Sequence, residues 1–111
     1  MENIVVINLL PGGQENAKVP YIPNSVREIP EIAEILSKCR TADKGEESVL
    51  LSNAFRLFEE ELREIRRNTK IKGKMRICLL LEGSVSEHKF VSKVKNSYEG
   101  QRVVIEEYFL E

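Results

Sequence analysis

Two apolar runs in this 111-residue chain each end in groups that could do chemistry. The first is Ile77 to Leu81, which leads straight into Glu82, with Glu87 and His88 close behind. Two carboxylates and an imidazole are the side chains of general acid–base catalysis. Gly83 allows a ligand close to the main chain, and Ser84 and Ser86 add hydroxyls. The second run, Ile4 to Leu10, contains Asn8 and is followed by Gly12 and Gly13, where successive N–H groups could face an anion. Each group also has a plain structural use. Ser84 and Glu87 stand in capping-box spacing, and a buried amide such as Asn8 needs partners wherever it points. Glycines after a strand are ordinary turn chemistry, and neither Gly-x-Gly-x-x-Gly nor a Walker pattern accompanies them. His88 has no evident partner in the sequence.

The elements that must position these groups follow from periodicity. Residues 4–10 and 77–81 are apolar at nearly every position, which suits interior strands of a parallel sheet covered on both faces. Phe90, Val91, Val94 and Tyr98 recur at helical spacing after the Ser84 cap, and Gly100 supplies a left-handed stop. Ile32, Ile35, Leu36 and Cys39 form the stripe of a helix starting near Pro30, with Ser25 to Glu28 read as a short turn before it. Residues 40–47 read as a mobile polar connector into a longer helix, 48–68, whose buried face is Leu51, Phe55, Phe58, Leu62 and Ile65. Arg102 to Leu110 is β-branched and aromatic, but its neighbours Glu106 and Glu107 put acid on both faces, as an edge strand tolerates. The order β-α-α-β-α-β predicts one domain over residues 1–111: a small three-layer α/β sandwich with a short, mainly parallel sheet and right-handed crossovers, Rossmann-like or Toprim-like. The carboxyl ends of the first two strands then gather Asn8, Gly12, Gly13, Glu82, Gly83 and Ser84. The irregular stretch 11–24 is long for so small a domain, which marks it as a lid, binding loop or interface arm.

Glu82-Gly83, Ser86-Glu87 and Phe90 after a hydrophobic strand resemble the first motif of the Toprim superfamily, in its RloB-like branch. The resemblance implies a Mg²⁺-dependent nuclease or phosphodiesterase in which Glu82 is the metal-binding general acid/base and Glu87 an accessory acid. It covers about a tenth of the chain. The family's Asp-x-Asp motif does not follow, because Asp43 is the only aspartate.

Seventeen Lys and Arg against eighteen Asp and Glu leave a formal charge of −1, so overall charge points to no particular partner. The distribution is more informative: Arg66, Arg67, Lys70, Lys72 and Lys74 cluster between the long helix and the central strand. That patch could meet nucleic acid or a larger protein, although no aromatic residue interleaves it for stacking, and it also complements a helix dipole. With two cysteines and one histidine, a structural zinc site is not expected. No apolar run approaches the ~20 residues of a membrane span, and no signal-peptide pattern is present, so a soluble cytoplasmic protein is expected. Three readings follow. The first is a regulatory domain that binds a nucleotide or phosphate-bearing ligand, as a homodimer joined through its edge strand. The second is a Toprim-like enzyme, and the third a non-catalytic subunit of a nucleic-acid-processing or defence complex.

Overall fold

A computed structural model describes residues 3–11, 18–68 and 73–110. The elements in chain order are β1 (Asn3–Asn8), β2 (Ser25–Glu28), α1 (Pro30–Lys38), α2 (Lys44–Asn68), β3 (Met75–Leu81), α3 (Val85–Tyr98) and β4 (Val103–Phe109). The strands form one sheet in the order β2-β1-β3-β4, and every pairing is parallel. The chain is thus a small α/β sandwich built on a parallel sheet.

The layers follow from the direction of the connections. β2 to β3 and β3 to β4 both step toward the β4 edge, whereas β1 to β2 steps the other way. With one hand of crossover, the first connection must lie on the opposite face from the other two. The side chains are arranged accordingly. Val5, Ile7, Ile77, Leu79 and Ile105 point toward the helices and pack with Ile32, Leu36, Phe58, Leu62, Phe90 and Val94. Val6, Leu10, Cys78 and Leu80 point the other way and pack with Val19, Tyr21, Tyr108 and Leu110. Both faces of the interior strands are covered, as their unbroken apolar character requires, but all three helices lie on one side. Residues 18–24 supply cover on the second face.

Two local expectations are corrected. Ser25–Glu28 is a strand, not a turn, and pairs in register with Val5–Asn8. Asn24 secures its start: its N–H donates to the Ile4 carbonyl and its Oδ1 accepts from the Ile4 N–H, both at 2.8 Å. The capping spacing of Ser25 and Glu28 is incidental. Residues 44–47, expected in a mobile connector, form the first turn of α2. Asp43 Oδ1 accepts from the Glu46 N–H at 2.8 Å, so the cap lies five residues before the expected helix start.

The buried face of α2 and the edge position of β4 agree with the sequence reading. Phe58, Leu62 and Ile65 are buried on α2, and Phe58 meets Phe90 edge-on at a centroid distance of 6.0 Å. β4 is an edge strand, and its two acids diverge: Glu106 pairs with Arg76 on the second face, while Glu107 pairs with Lys95 of α3 at 2.5 Å. Among the described residues, no helix is long and apolar enough to cross a membrane.

Candidate functional site

The site expected from sequence lies where β1 and β3 end side by side. Asn8 pairs with Leu80, so residues 8 and 82 share one rim. The chain leaves β1 toward one edge and β3 toward the other, and this reversal is where open α/β sheets place a crevice. Here the crevice is filled. Ala33, Leu36 and Ser37 of α1, with Arg40 just beyond it, close over Leu9, Glu82 and Glu87, leaving only about 10 Å³.

At the start of α3 the chain supplies its own anion. The Glu87 carboxylate accepts from three backbone N–H groups: Glu82 at 3.0 Å, Gly83 at 2.9 Å and Ser84 at 2.7 Å. Ser84 Oγ accepts in return from the Glu87 N–H at 3.2 Å, completing the capping box. Gly83 makes the approach possible at φ 108°, a backbone conformation that residues with a side chain rarely adopt. Glu87 is 3% exposed, so the N–H groups expected to cradle a phosphate are satisfied by a buried carboxylate.

The neighbouring groups are committed as well. The Arg40 guanidinium lies 2.9 Å from Glu82 Oε2 and 3.9 Å from Glu87 Oε1, adding a cation between the two acids. The Ser86 hydroxyl donates to Glu47 Oε2 at 2.7 Å rather than facing a ligand, and Lys89 reaches Glu47 Oε1 at 2.6 Å. These donors, Lys89 foremost and then Ser86, hold the Glu47 carboxyl below its ordinary value. His88 is exposed, with its ring against Phe109 at 4.5 Å between centroids. Arg40 and Glu47 were missed in the sequence. Their only signal was membership of a charged connector whose fold depends on tertiary packing.

Asn8 belongs to a different opening. Its Oδ1 accepts from the Leu10 N–H at 2.9 Å, an Asx turn that bends the chain as it leaves β1. Asn8 lines a cleft of about 460 Å³ at the carboxyl ends of β1 and β2, with Leu10, Pro11, Glu28, Pro30 and Glu34. Ala33 and Ser37 continue its wall along α1. α1 begins there without a side-chain cap, since its N-cap is Ile29 and Pro lies in its first turn. Glu28 is contributed by the strand that the sequence reading took for a turn.

Gly12, Gly13, Lys70 and Lys72 lie outside the described residues. Arg66, Arg67 and Lys74 are exposed at the amino end of the sheet, opposite both the crevice and the cleft. Arg76, which continues this basic run in sequence, is instead turned onto the second face. It pairs with Glu106 and lies 4.9 Å from the Tyr21 ring centroid.

The donor set implied by a Toprim-type Mg²⁺ site is not assembled. Glu82 is paired with Arg40, Glu87 with backbone N–H groups, and Glu106 with Arg76, Tyr21 and Tyr108. Among the described residues, no group of three His, Cys, Asp or Glu side chains is placed to hold a metal ion. The residues do not fit that group, and no catalytic step follows from them. In comparisons with known proteins, no family model, curated protein or solved structure matches this chain.

Proposed function

We propose that this chain is a small ligand-binding module that holds a nucleoside or nucleotide in the cleft between the ends of β1 and β2. The carrying observation is the cleft itself, whose 460 Å³ falls within the usual range for small-molecule sites. It is walled by apolar Leu10, Pro11, Pro30 and Ala33 with a few polar groups at its rim, a composition that suits a base or sugar. Glu28 and Glu34 offer carboxylate acceptors for ribose hydroxyls or amino groups. The start of α3 is already satisfied by Glu87, and at the start of α1 Pro30 has no N–H and the Ile32 N–H donates to the Ile29 carbonyl, so the base or sugar is the part of the ligand that the cleft suits. Binding is favoured over turnover because both acids at the β3 end are engaged with internal partners.

A thermal-shift series with nucleosides, nucleotides and inorganic phosphate tests the reading. A nucleoside-bearing ligand is expected to raise Tm, Glu28→Gln and Glu34→Gln to remove the rise, and Glu82→Gln to keep it. No rise with any nucleoside or nucleotide, or a rise indifferent to both cleft substitutions, overturns it.

A further inference from the structure

β4 is the last strand of the sheet, and its outer edge has no partner strand among the described residues. Two hydrogen bonds fix which of its backbone groups face outward. The Met75 N–H donates to the Arg102 carbonyl at 3.0 Å, and the Leu110 N–H donates to the Leu81 carbonyl at 2.8 Å. In a parallel ladder alternate residues face the partner strand, so residues 104, 106, 108 and 110 bond inward to β3. Residues 103, 105, 107 and 109 then present their N–H and C=O groups outward.

Several of the devices that blunt an edge are missing here. β4 runs for seven residues, VVIEEYF, with neither Pro, Gly nor Lys. Its two acids are each ion-paired within the same chain, Glu106 with Arg76 and Glu107 with Lys95, which lowers their repulsion toward a second copy. The other edge strand, β2, is only four residues long. Val104, Tyr108 and Phe109 remain half-exposed beside the open edge.

We propose that β4 pairs with β4 of a second copy, antiparallel about a two-fold axis, joining two four-stranded sheets into one. A register centred on Glu106 sets the outward-facing backbone groups opposite one another: Val103 meets Phe109 and Ile105 meets Glu107 at hydrogen-bonded positions, while Val104 meets Tyr108 at the alternating ones. The two Glu106 side chains face each other on the axis, each held by its own Arg76. This pairing is independent of the cleft, which lies at the β2 side of the sheet. A single strand pair lies at the small end of specific interfaces, so the dimer is expected to be concentration-dependent, with Kd of order micromolar.

Sedimentation and amide hydrogen exchange together test the proposal. Raising the concentration is expected to double the 12.8 kDa mass and to slow exchange at residues 105, 107 and 109 at least tenfold, with residues 104, 106 and 108 slow throughout. Glu107→Pro removes an outward N–H and leaves the ladder to β3 intact, so a folded variant is expected to stay monomeric. Should that variant not fold, Val104→Glu decides: it places extra carboxylates beside the paired Glu106 and is expected to weaken dimerisation at least tenfold. A wild-type chain that stays monomeric at millimolar concentration overturns the proposal. So does a dimer that is unaffected in the folded variants, or one without the alternating protection.

Discussion

The carboxyl rim of the sheet carries two possible openings, and they differ in which side chains close them. Between β1 and β3 the topology favours a crevice, yet Arg40 and the α1 side chains leave about 10 Å³, and Glu87 occupies the N–H groups of α3. Between β1 and β2 about 460 Å³ remains open, and the adjoining helix start is capped by Ile29 without a side-chain acceptor. The reversal of strand order identifies where a crevice can form. Whether it stays open depends on what the following helix places over it, and that helix is held by contacts far away in sequence.

The largest expected effect comes from removing the closure of the first opening. Glu87→Ala leaves the N–H groups of Glu82, Gly83 and Ser84 without their acceptor, and is expected to cost about 2–4 kcal/mol in denaturant unfolding. Glu87→Gln keeps an amide oxygen for part of the cap and is expected to cost about half as much. Equal losses for the two variants would mean that charge, not acceptor geometry, holds the α3 start.

A middle-sized effect comes from acid. Burial alone raises the Glu106 carboxyl, but the bonds from Arg76, Tyr108 and Tyr21 together outweigh it and hold the group below its ordinary value. Glu47 is held low by Lys89 and Ser86. A depressed folded-state value gives stability that is present above the unfolded carboxylate range and is lost as pH falls through the folded value. Unfolding monitored by circular dichroism is therefore expected to be level from neutral pH to about 5 and to weaken below about 4.5. Glu106→Gln is expected to lower stability at neutral pH and to flatten that acid limb. Burial first, and then the same carboxylate, raises the Tyr108 hydroxyl above its ordinary range, so Tyr108 stays a donor throughout this window.

The smallest structural effect is expected in the open cleft. Glu34 is exposed and among the described residues makes only an i,i+4 pair with Lys38 at 3.3 Å, so Glu34→Gln should change stability by no more than about 0.5 kcal/mol. Any ligand effect of this substitution is then separable from folding. A large loss of stability in Glu34→Gln would mean that the two openings are coupled through α1.

Much of the scaffold was legible because its signals are local. The unbroken apolar runs of β1 and β3, the stripe of α2 and the Ser84–Glu87 capping box each specify their element within a few residues. β2 was not legible, since SVRE carries a single apolar residue and is held as a strand by its register with β1. The first turn of α2 was hidden by Gly45, although Asp43 and Glu46 already stood in capping spacing. In the site, the shared rim of residues 8 and 82 followed from the parallel order. The closing role of Arg40 did not, because it depends on where α1 carries the chain after Cys39. Nor did the cleft, half of which belongs to the unrecognised strand.

The placement of all three helices on one side also gives the two buried cysteines separate addresses. Cys78 lies on the second face, in the cluster that includes Val19 and Tyr21, while Cys39 sits at the α1 terminus beside Ser86. An alkylating reagent is expected to reach Cys78 only through the cover that includes Val19 and Tyr21, and Cys39 only through its contact with Ser86. The chain thereby carries a native pair of chemical reporters, one for each side of its sheet.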